Sequence, residues 1–302
     1  GNDSVSGANI EMWEELRESR ETRTLGSGFI FQIMNSTINM NLSTIFGTKG
    51  ACWTLSGACA SGSHSIGQAA DLIRNGRQTI MLAGGGQEVN LESMAAFDAL
   101  TAFSKNISNP TGASRPFDKD RDGLVPSGGG ACVILEDYEH AKARGAKMYA
   151  EILSYAFSSD GADLTVATGE GAEFALKMVL KNAGMNASDI DYVSAHATAT
   201  PVGDVAEARA LRNIFGDKTP ISSTKSMTGH ECWMAGASEL IYSVLMHKDG
   251  FIAPNINFEE PDEDTKGINV VKKTLQEKPV NIISNSFGFG GTNSVLLIKG
   301  LM

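Results

Sequence analysis

Short continuous apolar runs and longer stretches of helical spacing alternate along the chain. Residues 8–18 (ANIEMWEELRE) carry a short helical pattern. Residues 29–46 are mostly apolar and amide-rich, which predicts a buried helix. Residues 50–56 (GACWTLS) read as a buried strand, 61–75 as a helix and 79–83 (TIMLA) as a second buried strand. Strand, turn, helix and strand in that order form a βαβ unit, which favours a parallel sheet.

Residues 104–123 are polar and turn-rich, with Asn109-Pro110 and Asp120-Arg121-Asp122-Gly123. A strand is expected at 131–135, a helix at 137–144, and a strand at 149–156 that opens a second half. A helix at 171–184, a strand at 191–195, a helix at 203–215 and a strand at 220–223 follow. A helix over 235–248 and strands near 282–286 and 294–299 close the chain. The run is α/β throughout, without sequence repeats or low-complexity segments. Two α/β halves, 1–148 and 149–302, fit this order.

Composition narrows the class. The 302 residues suffice for one large domain or two fused halves. With 33 Gly and only 8 Pro, tight strand-to-helix turns are expected rather than disorder. A net charge of −10 argues against general nucleic-acid binding but leaves room for a local basic patch. Cys52, Cys59, Cys132 and Cys232 form no C-x-x-C pair and have no zinc-finger spacing to His. Neither a structural zinc site nor a disulfide scaffold is expected, and a cytoplasmic setting is the default. There is no membrane-length apolar run, and no signal peptide is expected. The opening Gly1-Asn2-Asp3-Ser4 lacks a Met, as in a fragment or processed chain.

Candidate chemistry starts at Gly57-Ala58-Cys59-Ala60-Ser61-Gly62, between an expected strand and an expected helix. Small residues permit a sharp turn with accessible sulfur. A helix N-terminus favours thiolate, and the backbone N–H groups there could serve an oxyanion. A buried structural Cys is the bland alternative. For Cys52, Cys132 and Cys232, in or beside apolar segments, a core role is expected.

Two of the five His follow expected strands. His196 lies in Ser194-Ala195-His196-Ala197-Thr198-Ala199-Thr200-Pro201. His230 ends Lys225-Ser226-Met227-Thr228-Gly229-His230. Loops at strand C-termini are the usual ligand sites of open α/β sheets. His64 is expected to pack, and His140 and His247 to be solvated on amphipathic helices. The loop Asn285-Ser286-Phe287-Gly288-Phe289-Gly290-Gly291-Thr292-Asn293 lies between two strands, so it is not a dinucleotide fingerprint, which must open a helix. It reads as a tight hairpin that could turn the Phe289 amide toward a substrate oxygen.

Taken in order, Gly57-Ala58-Cys59, His196-Ala-Thr198-Ala-Thr200, Lys225-Ser-Met-Thr-Gly-His230 and Asn285-Ser-Phe-Gly-Phe289-Gly-Gly-Thr-Asn293 resemble the elongating β-ketoacyl-[acyl-carrier-protein] synthases. The resemblance covers nearly the whole chain. Ser159-Asp160-Gly161-Ala162-Asp163 and Gly169-Glu170-Gly171 lean to synthase I, and Arg115-Pro116-Phe117-Asp118 to synthase II. It implies a thiolase-like fold of two similar halves in α-β-α-β-α layers. It implies decarboxylative condensation of acyl-Cys59 with malonyl-acyl-carrier protein. The implied roles are nucleophile for Cys59 and an oxyanion hole from the N–H groups of Cys59 and Phe289. His196 and His230 would be enolate donors, Lys225 with Glu207 would tune His230, and Phe287 and Gly288 would lie along the substrate. Thr198 and Thr200 would hold the phosphopantetheine arm, which arrives on the carrier protein, so no separate cofactor and no metal are implied. Arg20 and Arg23 would face that acidic partner, and residues 50–56 would join a homodimer.

Three departures stand out. Ala197 replaces the usual Gly. Cys232-Trp233-Met234-Ala235-Gly236 replaces Leu-Gly-Ala-Ala-Gly, which sets bulky side chains where small ones usually pack. Family members also carry roughly a hundred more residues at the front, including a core strand, so the chain looks truncated. Rival readings are a non-catalytic partner subunit, which would lack the nucleophile, and a thiolase, which would carry a second Cys near the C-terminus. A ketosynthase of a specialised polyene or polyketide pathway is a third.

Overall fold

The computed structural model describes residues 1–301. Its strands are β1 (Ile80–Gln87), β2 (Gly129–Glu136), β3 (Ala150–Ser159), β4 (Tyr192–Ser194), β5 (Pro220–Ser222), β6 (Asn269–Val270), β7 (Asn281–Gly288) and β8 (Thr292–Gly300). Its helices are α1 (Gly7–Ser19), α2 (Phe29–Gln32), α3 (Thr37–Phe46), α4 (Ser61–Arg74) and α5 (Leu91–Ala99). They continue with α6 (Tyr138–Ala143), α7 (Glu170–Ala183), α8 (Gly203–Phe215), α9 (Lys225–Thr228) and α10 (Ala235–Asp249).

Six strands form one sheet in the order β3-β8-β7-β4-β5-β6. Its centre is parallel, β7-β4-β5-β6, and β8 runs antiparallel to both β7 and β3. Helices α7 and α8 cover one face. Leu176, Val179, Leu211 and Phe215 lock there against Val193, Ile283, Val295 and Leu297. Helices α4 and α10 cover the other face, where Ile66, Ala237 and Leu240 meet Tyr192, Ile282, Leu296 and Ile298. The two-stranded antiparallel sheet β1–β2 packs against the far side of α4 and α10. Among the described residues the layers therefore run α-β-α-β. Alternate strand residues supply the two cores, as the two-residue period of a strand requires.

Local chemistry explains the helix limits. α7 opens with Glu170 and Glu173, which suit the positive end of the helix dipole. It stops at Gly184 (φ 66°), whose N–H returns to Leu180. Asn90 and Ser93 form a reciprocal capping box that starts α5, an element the apolar pattern did not reveal.

Several expectations are corrected. The run 29–46 is two short helices with no buried residue. Its amides tie it to neighbouring backbone: Asn35 Nδ2 donates to Asp3 O (2.9 Å), and Thr54 Oγ1 to Asn35 O (3.2 Å). Residues 50–56 form no strand. They are irregular and largely exposed, with Leu55 O accepting from Asn2 N–H (3.2 Å), and β1 joins β2 rather than a βαβ unit. His247 is buried, not solvated, with Nδ1 2.8 Å from Pro279 O. Cys52 and Cys132 are exposed rather than in the core, whereas Cys232 is buried. His64 packs as expected, between Tyr155 Oη (2.6 Å) and Thr292 Oγ1 (2.9 Å). His140 is exposed and pairs with Glu136.

Candidate active site

The expected elbow is a single 3-10 turn, Ala58–Ala60, running straight into α4. The backbone strain sits at Ala58 (φ 45°), one residue before Cys59. Ser61 Oγ fastens the turn, accepting from Gly57 N–H (2.9 Å) and donating to Ala58 O (2.6 Å). The end of β7 lies so close that a Cβ on Gly288 would fall 2.9 Å from Gly57 O. The β7–β8 hairpin then turns through Gly290 (φ 77°) and Gly291 (φ 71°), conformations that favour glycine. Phe289 projects beside the elbow.

Cys59 is buried. Burial pushes its thiol up, Cys232 adds to the rise, and Lys225 and the backbone oppose it. Desolvation therefore outweighs the groups that favour thiolate. Its neighbour is His230 Nε2 at 3.1 Å. Donor atoms of Cys59, His196 and His230 all lie within 4.8 Å of one another, and the two imidazoles meet edge-on with centroids 5.3 Å apart.

The positions of the two imidazoles follow from backbone clamps. His196 follows β4, and Glu207 of α8 accepts from the backbone N–H of His196 (2.9 Å) and Ala197 (2.6 Å) while receiving Asn285 Nδ2 (3.0 Å). Asp204, also on α8, accepts from Thr198 N–H (3.0 Å) and Phe117 N–H (2.7 Å). Two helix-borne carboxylates thus hold the histidine loop. His230 follows α9; its N–H reaches Val125 O (2.7 Å) and its C=O receives Ser127 N–H (2.9 Å).

Electrostatics keep both rings neutral. Burial, Lys225 and His230 push His196 well below its ordinary value. Burial and Lys225 do the same to His230. Burial raises Glu207 to about 7 and Asp204 to about 6, against their hydrogen bonds.

Lys225 is completely buried. Its carboxylate partner is Glu239 of α10, a residue the sequence reading missed, and not Glu207. Its Nζ also lies 3.4 Å from His196 Nδ1, so its direct contact is with His196, although its charge acts on both rings. No local signal marks Glu239, which sits 14 positions downstream among small and apolar residues in the first part of its helix.

A cavity of about 380 Å³ connects these parts, lined by Cys59, His196 and His230 at its floor and by Thr198, Thr200, Glu207, Phe287, Gly288 and Phe289 along its walls. Thr198 Oγ1 and Thr200 Oγ1 are 3.1 Å apart. Arg20 and Arg23 lie outside this cluster, exposed at the end of α1 and after it, and Arg23 pairs with Glu21.

Residues 4–141 match the β-ketoacyl synthase N-terminal domain, and 149–259 match its C-terminal domain. The 3-oxoacyl-[acyl-carrier-protein] synthase 1 of Escherichia coli K12 is 45% identical over 290 residues, covering 95% of this chain and 71% of the relative. The chain belongs to the β-ketoacyl synthases. The Haemophilus influenzae synthase 1 is also 45% identical, over 95% of this chain and 70% of the relative. A crystal structure of a β-ketoacyl synthase from Burkholderia phymatum superposes with a TM-score of 0.96 at 39% identity, covering 100% of this chain and 74% of that one. A type II polyketide ketosynthase solved with its acyl-carrier protein superposes at 0.92 and 30% identity, covering 98% and 75%. The fold is thus the thiolase-like fold of the ketosynthases, and the chain is an acyltransferase-type condensing enzyme.

Proposed function

We propose that this β-ketoacyl synthase elongates fatty acyl chains by condensing acyl-Cys59 with malonyl-acyl-carrier protein. The observation that carries the reading is the convergence of one thiol and two neutral imidazoles within 4.8 Å at the floor of a cavity. Cys59 sulfur attacks the acyl thioester carbonyl, and its proton passes to the departing phosphopantetheine thiolate, so the Nε2–H of His230 is kept for the second half-reaction. The N–H groups of Cys59 and Phe289 face the oxyanion. Malonyl thioester enters next along Thr198 and Thr200. CO₂ leaves, and His196 and His230 donate from Nε2 to the enolate oxygen. Lys225 supports this at His196: an ammonium donating to Nδ1 leaves the ring proton on Nε2. The carbanion then attacks the acyl carbonyl, and Cys59 departs as thiolate to give the 3-oxoacyl product.

These steps use side chains and the carrier's own phosphopantetheine, with no separate cofactor or metal. The relatives' printed names and the carrier-bound ketosynthase support an acyl-carrier partner, which Arg20 and Arg23 would meet. The two sheets, one in 80–136 and one in 150–300, support units divided near residue 148. A second copy of the chain is the other partner. No helix among the described residues is long and apolar enough to cross a membrane, and four free cysteines fit a reducing cytoplasm.

Incubation with acyl-[acyl-carrier protein] should add one acyl mass to the wild type and none to Cys59→Ala, read by intact-protein mass measurement. An adduct persisting in Cys59→Ala would sink the assignment.

A further inference from the structure

A thioester on Cys59 needs apolar room beside the sulfur. The histidine side is polar and is used by the second substrate. On the opposite side the space is already occupied: Met94, Phe97, Cys232 and Trp233 are buried in one cluster with Cys59, and Ala102 and Phe103 pack against them. Of this group, Phe97 and Ala102 line the cavity. The Phe97 ring is held on three sides, with centroids 5.9 Å from Trp233, 6.1 Å from Phe289 and 6.2 Å from Phe103.

Trp233 cannot easily withdraw. Its Nε1 donates to Ser4 Oγ at 3.2 Å. The turn that carries it, Cys232–Met234, packs directly on the elbow turn, and its carbonyl oxygen lies 3.1 Å from where a Cβ on Gly62 would stand. Met234 on the next position is wedged against β1, where a Cβ on Gly85 would meet Met234 Cα at 2.8 Å. Small residues on α4 and β1 thus make the room that this bulky turn fills, and its aromatic side chain is driven toward Phe97.

We propose that Trp233, acting through Phe97, is the residue that sets the length of acyl chain accepted on Cys59, closing the apolar end of the cavity so that short chains are favoured. This rests on the acyl-Cys59 reading above. With Trp233 removed, Phe97 gains a space to turn into, and the pocket lengthens by part of an indole. Trp233 touches no reacting atom, so it is a positioning and specificity residue.

The test is the rate of Cys59 acylation by acyl-[acyl-carrier proteins] of graded even length, followed by intact-protein mass. Trp233→Ala should raise the ratio of long-chain to short-chain rates by about tenfold or more, the scale on which apolar pockets discriminate methylenes. Trp233→Phe should keep the wild-type profile. Trp233→Leu, a smaller loss of volume, should shift the ratio in the same direction and serves if the alanine variant does not fold. Equal loss at every length, or an unchanged profile in a folded variant, would overturn the role of Trp233 while leaving the acyl-Cys59 reading intact. A wild type that takes no acyl chain of any length would overturn both.

Discussion

Lys225 and Glu239 form the most demanding pair in the molecule, because both are withdrawn from water. Replacing Lys225 by Met would strand a buried carboxylate, a change that typically costs about 3–5 kcal/mol. Burial pushes Glu239 up, so proton uptake would offset part of the loss at lower pH and the deficit should grow as pH rises. Removing both charges, as Lys225→Met with Glu239→Leu, should recover much of the stability. Urea unfolding of the two variants decides this; equal midpoints for wild type and Lys225→Met would refute it. The same pair marks the limit of reading at this scale. His196, His230 and Lys225 stood out because they follow strands, and Cys59 because small residues flank it at the start of a helix. Glu239 did not, since its partner is defined only when the fold brings α10 to Lys225. His247 failed for a related reason: a helix pattern does not say which face a strand covers, and Gly300 of β8 lies directly against the ring.

Helix α8 acts at the element scale as a clamp whose carboxylates fasten the loop bearing His196. Its limits, 203–215, agree with the helix expected from the sequence. Its second purpose was not legible, because Glu207 looked like a partner for Lys225 until the backbone N–H groups were seen to occupy it. A carboxyl raised from 4.5 to about 7 holds a proton in the folded chain that the unfolded chain has already released. Folded protein therefore binds more protons between those values, and stability falls as pH rises through that window. The full effect of a shift this large is about 3 kcal/mol. Asp204, raised to about 6, slopes the same way. Glu207→Gln should flatten the decline between pH 5 and 8. It should also lower stability overall by about 1–3 kcal/mol, since an amide NH₂ would face groups that all donate. Urea midpoints across that range are the measurement; an unchanged slope would remove Glu207 from the account.

Across the whole molecule, apolar surface is distributed unevenly. The histidine-bearing sheet is covered on both faces, yet one stretch near the front exposes Ile30 (54%), Phe31 (59%), Ile45 (71%), Phe46 (65%) and Trp53 (53%). These side chains belong to α2, α3 and the irregular segment 50–56. The apolar run at 50–56 was read as a buried strand because burial against the same chain and burial against another leave the same sequence trace. Large exposed apolar patches usually mark contacts, and a self-complementary patch is covered in both copies when two chains meet across a two-fold axis. A symmetric pair would cover this surface in both copies and brace the Cys59 turn, which follows directly from residue 57. The expected result is sedimentation of the wild type as a dimer at micromolar concentration. Phe46→Asp with Ile45→Asp should sediment at the mass of one chain, because each exposed ring or aliphatic group would be replaced by a charge that must stay hydrated. A wild type that sediments as a single chain, with these residues accessible to solvent, would show that the surface serves some other contact.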